Sequence, residues 1–179
     1  MRIDFERIRR SLKQKPRKAP MPLRLDYFQA SPHLGRKFAE LNQLINASPS
    51  LKDIGHLAAL RASQINGCPF CVDFHVKEGR LQGEGELRLH HVLIWRESPL
   101  FSEKERAAFA WTEALTRLEG QDVPDATFDA ACSLFSDQEL ADLSFLIFFV
   151  NGWNRLGIAF KTVPGSADKL FGLDRAEMS

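Results

Sequence analysis

The strongest constraint on this chain is its helical punctuation: from Ser31 onward, apolar residues recur at helical spacing between residues that start and stop helices. Ser31 is a candidate N-cap with Pro32 in the first turn, and Leu34, Phe38, Leu41 and Ile45 share one face. A second helix is expected from near Ser50. It carries Ile54, Leu57, Ala58, Leu60 and Ile65 and should stop at Asn66-Gly67, where glycine tolerates left-handed backbone. Pro69 suits the first turn of a third helix, running through Phe70, Val72, Phe74 and Val76 toward Gly79, Gly83 and Gly85. Further helical patterns cover roughly residues 86–97, 102–118, 125–134 and 136–160, and both Ser102 with Glu105 and Ser136 with Glu139 have the capping-box spacing. Residues 92–95 and 146–150 would pass locally for strands, but no alternating run bounded by turn residues competes with the helices. The expected fold class is all-α.

A chain of 179 residues with 44% hydrophobic and 26% charged side chains can bury one ordinary core. Its longest apolar stretch, 143–150, falls short of the roughly 18 to 20 residues that span a bilayer, so no membrane segment is expected. The formal net charge is +1, yet residues 1–20 carry eight basic side chains against Asp4 and Glu6, which leaves the remainder negative. Such a leader could be a nucleic-acid arm, a mitochondrial presequence or an anion-binding tail, although a plain solvated terminus is the commoner fate. No function and no nucleic-acid partner is assigned to it. The chain therefore divides into a basic extension at 1–20, a helical domain at 21–165 and a tail at 166–179, the tail expected as an extended or partly disordered arm.

Three cysteines without a secretory leader argue against a disulfide-stapled secreted domain and for the reducing cytosol. In that setting a close pair is catalytic or metal-binding more often than structural, and the pair is Cys68-Pro69-Phe70-Cys71. Cysteine reacts as thiolate, and its pKa of about 8.5 falls at helix N-termini and beside cations. Cys71 lies in the first turn of the third helix. His75 follows four residues later on the same face, where an imidazole can take or return a proton. Cys68 can close a disulfide onto an oxidised Cys71, though spacing alone also permits the reverse assignment. A metal site is the weaker reading, because two thiolates and one imidazole lack a fourth ligand unless folding supplies His56 or His90. No metal and no cofactor is expected. The bland alternative is that these residues merely pack at a buried helix junction.

The stretch LRASQINGC from Leu60 to Cys68, followed by FCVDFH from Phe70 to His75, resembles the core motif of alkylhydroperoxidase D-like proteins in the carboxymuconolactone decarboxylase superfamily. Two later blocks, WRESPLFS from Trp95 to Ser102 and NGWNRLGIAF from Asn151 to Phe160, extend the likeness over about residues 23–165. The resemblance implies a compact helical domain that assembles into a homo-oligomer, commonly a trimer or hexamer. It implies a peroxidase that reduces hydroperoxides and is returned to its thiols by an external dithiol or disulfide-reducing protein. It assigns attack on the peroxide to Cys71, resolution to Cys68, and proton relay to His75 together with a glutamate. That glutamate's position, twelve residues before the first motif cysteine, holds His56 here. A histidine can move protons but cannot stabilise a neighbouring imidazolium, and two charged histidines repel. The catalytic set is thus Cys71, Cys68, His75 and His56, the last with a plainer reading as a core-edge or surface residue. Asp73 is turned to another helical face and is not promoted.

Two other functions stay open: a redox-sensing or oligomeric binding protein whose pair switches without efficient turnover, and a lactone decarboxylase, against which the intact cysteine pair argues. His90-His91 point about a third of a turn apart and read as a surface pair. Cys132 reads as a buried spectator thiol. Trp95, Trp111 and Trp153, with Phe145, Phe148 and Phe149, read as core or subunit contacts. Asn151, Asn154 and Arg155 cannot be placed beside the cysteines from sequence.

Overall fold

Small residues let one helix sit at the centre of this molecule. The computed structural model describes residues 23–118, 120 and 122–177, so the basic extension at 1–20 lies outside the described residues. Among the described residues there is no strand, and the fold is all-α. Two helices, α1 (Tyr27–Ala30) and α2 (Pro32–Asn46), precede the central helix α3 (Gly55–Asn66). Then come α4 (Pro69–Leu81), α5 (Glu86–His91), α6 (Glu103–Thr116), α7 (Asp125–Cys132), α8 (Asp137–Phe160) and α9 (Asp168–Phe171).

Gly55, Ala58, Ala59, Ala62 and Ser63 keep α3 slim enough for α4, α6 and α8 all to pack against it. One flank, Ala58, Ala59 and Ala62, joins a core with Trp111, Leu143, Leu146, Ile147 and Val150. The other, Leu57 and Leu60, joins Leu89, Val92, Trp95, Phe101 and Phe109. Leu57 and Leu60 are fully buried, and each contributes roughly 1.5–3 kcal/mol by the usual area relation. A buried ion pair ties α3 to α6: Arg61 donates to Glu113, which also accepts from Trp95 Nε1 at 2.8 Å.

Both expected capping boxes form, at Ser102 with Glu105 and at Ser136 with Glu139. Ser31 does precede Pro32 at the start of α2, but its side chain makes no cap bond; Asp26 caps the short α1 instead. The helix expected over 86–97 ends at His91, and a 3-10 turn, Val92–Ile94, follows. Beyond that turn the Arg106 guanidinium holds the carbonyls of Trp95 and Ser98 at 2.9 Å each. Helix α8 is long and apolar enough, by length and composition, to cross a membrane, which the short uninterrupted run did not suggest. In the fold it packs on α3 and α6 and buries Asn151 and Asn154.

Three expectations are corrected. The segment after Gly165 is folded rather than an extended or disordered arm: α9 and the 3-10 turn Leu173–Glu177 lie on α4, with Leu173 and Ala176 buried. Its anchors sit on α4, remote in sequence. Phe171 meets the Phe74 ring edge-on at 5.2 Å, and Lys77 bridges Asp73 at 2.9 Å and Asp168 at 2.6 Å. Cys132, expected to be buried, is exposed, because α7 buries only Ala131. His90 is on the surface, whereas His91 is half-buried and its ring pairs with the Ser98 hydroxyl at 2.9 Å.

Candidate redox site

The turn from α3 into α4 builds the site. Gly67 adopts φ 66°, in the left-handed region that favours glycine, and the Cys68 N–H reaches back to the Ser63 carbonyl at 3.1 Å. That bond reverses the chain within two residues and leaves Cys68 in extended backbone as the N-cap of α4. Pro69 opens the helix where an N–H has no intrahelical partner. Cys71 follows in the first turn, and its N–H donates to Cys68 Sγ at 3.3 Å. The two sulfurs form a disulfide, with Cα atoms 5.3 Å apart. Both therefore lie at the positive end of the α4 dipole, which favours thiolate when the pair is reduced.

The two cysteines differ in access. Cys68 is 0% exposed and sits against Gly157 of α8, where an added methyl group would lie 3.1 Å from its sulfur. Cys71 is 4% exposed and lines a cleft of about 1750 Å³ that His75, His56, Glu78 and Glu84 also line. The four residues singled out in the sequence are thus gathered at one place, with Cys68 behind the cleft wall and the others on it.

Each histidine has its own carboxylate. His75 Nδ1 lies 2.9 Å from Glu78 Oε2, and His56 Nε2 lies 3.0 Å from Glu84 Oε1. A carboxylate only accepts, so these nitrogens donate, leaving His75 Nε2 and His56 Nδ1 as acceptors in the neutral rings. His56 is buried, and its Nδ1 meets no hydrogen-bond partner among the described residues. Burial by itself would raise the Glu78 carboxyl, but the His75 hydrogen bond and the charges of His75 and His56 hold it below the ordinary value. Burial likewise opposes ionisation of Glu84, and the hydrogen bonds from Arg88, at 2.6 Å, and from His56 outweigh it. Arg88 also meets Glu105 at 2.6 Å, so the network runs on into α6.

His56 therefore lines the same cleft as Cys71 and His75, and each of the two histidines stands beside a glutamate. Glu78 was open to sequence reasoning, since it stands three residues after His75 on the same helical face. Glu84 was not, because it reaches His56 only through the turn between α4 and α5. Asn151 and Asn154, unplaced from sequence, brace the cysteine turn: Asn66 Nδ2 donates to their side-chain oxygens at 2.9 and 2.8 Å, and Asn154 Nδ2 donates to Ser63 Oγ at 3.1 Å. Asp73 faces away, toward Lys77 and the Gly165 N–H. Among the described residues no group of three or more His, Cys, Asp or Glu side chains is placed to hold a metal ion.

An all-helical domain with a Cys-x-x-Cys disulfide at a helix start defines a protein of the alkylhydroperoxidase D-like class. The sequence model of the Carboxymuconolactone decarboxylase family matches residues 32–114. The chain is 30% identical over 139 residues to the uncharacterized protein YdfG of Bacillus subtilis (strain 168), spanning 78% of this chain and 95% of that one. A crystal structure from Agrobacterium tumefaciens, of a protein of unknown function suggested to be an antioxidant defence protein AhpD, is 38% identical with a TM-score of 0.76, covering 79% of this chain and 97% of that one. An alkylhydroperoxidase AhpD core, an uncharacterized peroxidase-related protein from Ralstonia eutropha JMP134, shares the fold at 20% identity with a TM-score of 0.66, covering 78% of this chain and 74% of that one. The chain belongs to the carboxymuconolactone decarboxylase family and is alkylhydroperoxidase D-like.

Proposed function

We propose that this protein is a thiol-dependent peroxidase that reduces alkyl hydroperoxides through Cys71 and Cys68. The observation that carries the reading is the unequal placement of the two sulfurs: Cys71 lines the cleft beside two histidines, and Cys68 lies behind it within disulfide reach. The Cys71 thiolate attacks the terminal peroxide oxygen; the S–O bond forms, the O–O bond breaks, and the alkoxide leaves with a proton relayed through His75. The Cys68 thiolate then displaces hydroxide from the Cys71 sulfenic acid, closing the disulfide, and the hydroxide is protonated to water. An external dithiol or disulfide-reducing protein returns two electrons and two protons, which suits a reducing cytosol. No metal or cofactor enters these steps.

The reading includes a homo-oligomer, a trimer or hexamer. It is supported by α2, which buries none of its residues, and by the exposed Leu41, Leu44, Phe145 and Phe148 around an apolar groove between α2 and α8. One observation favours a slower redox switch as the second reading: both sulfurs are almost wholly enclosed, which limits access for a donor. Hydroperoxide consumption under excess dithiol, by wild type and Cys71→Ser, separates the two. Turnover that is lost in the variant fits the peroxidase, whereas a single round of oxidation in wild type fits the switch.

A further inference from the structure

The two histidine–carboxylate pairs line the same cleft as Cys71. Along α4, Cys71, His75 and Glu78 follow at four- and three-residue steps, so each stands about one turn beyond the last on a shared face. Glu78 accepts from His75 Nδ1 at 2.9 Å. His56, on α3, donates to Glu84 at 3.0 Å, Glu84 is clamped by Arg88, and Arg88 by Glu105. Resting on the peroxidase reading, we propose that Glu78 is a positioning residue, supplying the carboxylate that orients His75 and stabilises its imidazolium.

The chemistry follows from which nitrogen holds the proton. With Nδ1–H given to Glu78, the His75 Nε2 is the acceptor, free to take the thiol proton of Cys71 and hand it to the departing alkoxide. The developing imidazolium is met by a carboxylate that is already ionised, because its own partners hold it below the ordinary range. Glu84 fixes His56 separately, through its own hydrogen bond at 3.0 Å. The charged and titratable groups around His75 are thus Cys71 and Glu78 on its own helix, His56 on α3, and Glu84, Arg88 and Glu105 behind them. Lys77, the nearest amine on α4, is turned away to Asp73 and Asp168.

The test is Glu78→Gln in the full chain, which keeps the size of the side chain and removes its charge. The expected result is a loss of peroxide turnover of about 10²-fold, within the usual range for acid–base catalysis. The acidic limb of the kcat/KM profile should move to lower pH, since an imidazolium without its carboxylate gives up its proton more readily. Ring 15N shifts of the reduced wild-type protein should place the neutral His75 proton on Nδ1, and Glu78→Gln should erode that preference. A purely structural Glu78 would cost stability and leave both the limb and the tautomer where they were; that result overturns the proposal. Cys71→Ser is run alongside: if it retained turnover the peroxidase reading itself would fall, while the tautomer measurement would still decide the role of Glu78.

Discussion

Gly157 shows how much of this site rests on a single hydrogen in place of a methyl group. Helix α8 passes behind the cysteine turn, and an alanine there would put its Cβ 3.1 Å from Cys68 Sγ and 3.6 Å from Cys71 Sγ. Overpacking of this kind typically costs about 1–3 kcal/mol. Gly157→Ala should therefore lower the melting temperature of the oxidised protein and slow closure of the pair; an unchanged melt with unchanged oxidation rate would show that the wall yields freely. The same residue marks the edge of what sequence could say. Cys68, Cys71 and His75 were legible because their spacing along one helix start is local chemistry, and His56 because a motif flagged its position. Gly157, Asn154 and Glu84 act across helix contacts between residues far apart in sequence or across a turn, where no local pattern points to the partner.

At the scale of elements, the helices were legible wherever a cap or a glycine stop marked them, as at Ser102, Ser136 and Gly67. Legibility failed where tertiary contacts overrode the pattern. The segment after His91 leaves the helix, with its Trp95 and Ser98 carbonyls held by Arg106, and the C-terminal segment is folded by anchors that α4 provides. Central α3 is buried on every side from Gly55 to Ser63, His56 and Arg61 included, so its face pattern could not reveal how many neighbours it has. Between elements the links are charged: Glu113 joins α6 to α3, and Glu84 joins α3 to α5. Despite burial, partner hydrogen bonds hold Glu78, Glu84 and Glu113 below the ordinary carboxylate value of 4.5. A carboxylate lowered in the folded state stabilises fully above its unfolded pKa and loses that contribution as pH falls through the folded one. The urea midpoint, followed downward in pH, should hold until about pH 5 and then fall steadily. A midpoint that stays level to pH 3 would mean these pairs do not hold the helices together.

At the scale of the whole molecule, an apolar face has no covering among the described residues. Leu44 and Phe148 are 70% and 66% exposed, far beyond what a helix packed on both sides shows, and they flank the groove between α2 and α8. If a second copy covers that face, sedimentation of wild type should report a trimer or hexamer, and Leu44→Glu with Phe148→Glu should release smaller species; a monomeric wild type would rule the assembly out. The redox account needs no such partner to be tested. Its central claim is that Cys71, not Cys68, meets the peroxide. The most direct measurement is the intact mass of reduced Cys68→Ser and reduced Cys71→Ser after one equivalent of an alkyl hydroperoxide, with a sulfenic-acid trap present and the adduct mapped by peptide. The account predicts a trapped adduct on Cys71 in Cys68→Ser and none at position 68 in Cys71→Ser. Trapping at Cys68 instead, or at neither cysteine while the hydroperoxide is still consumed, would contradict it.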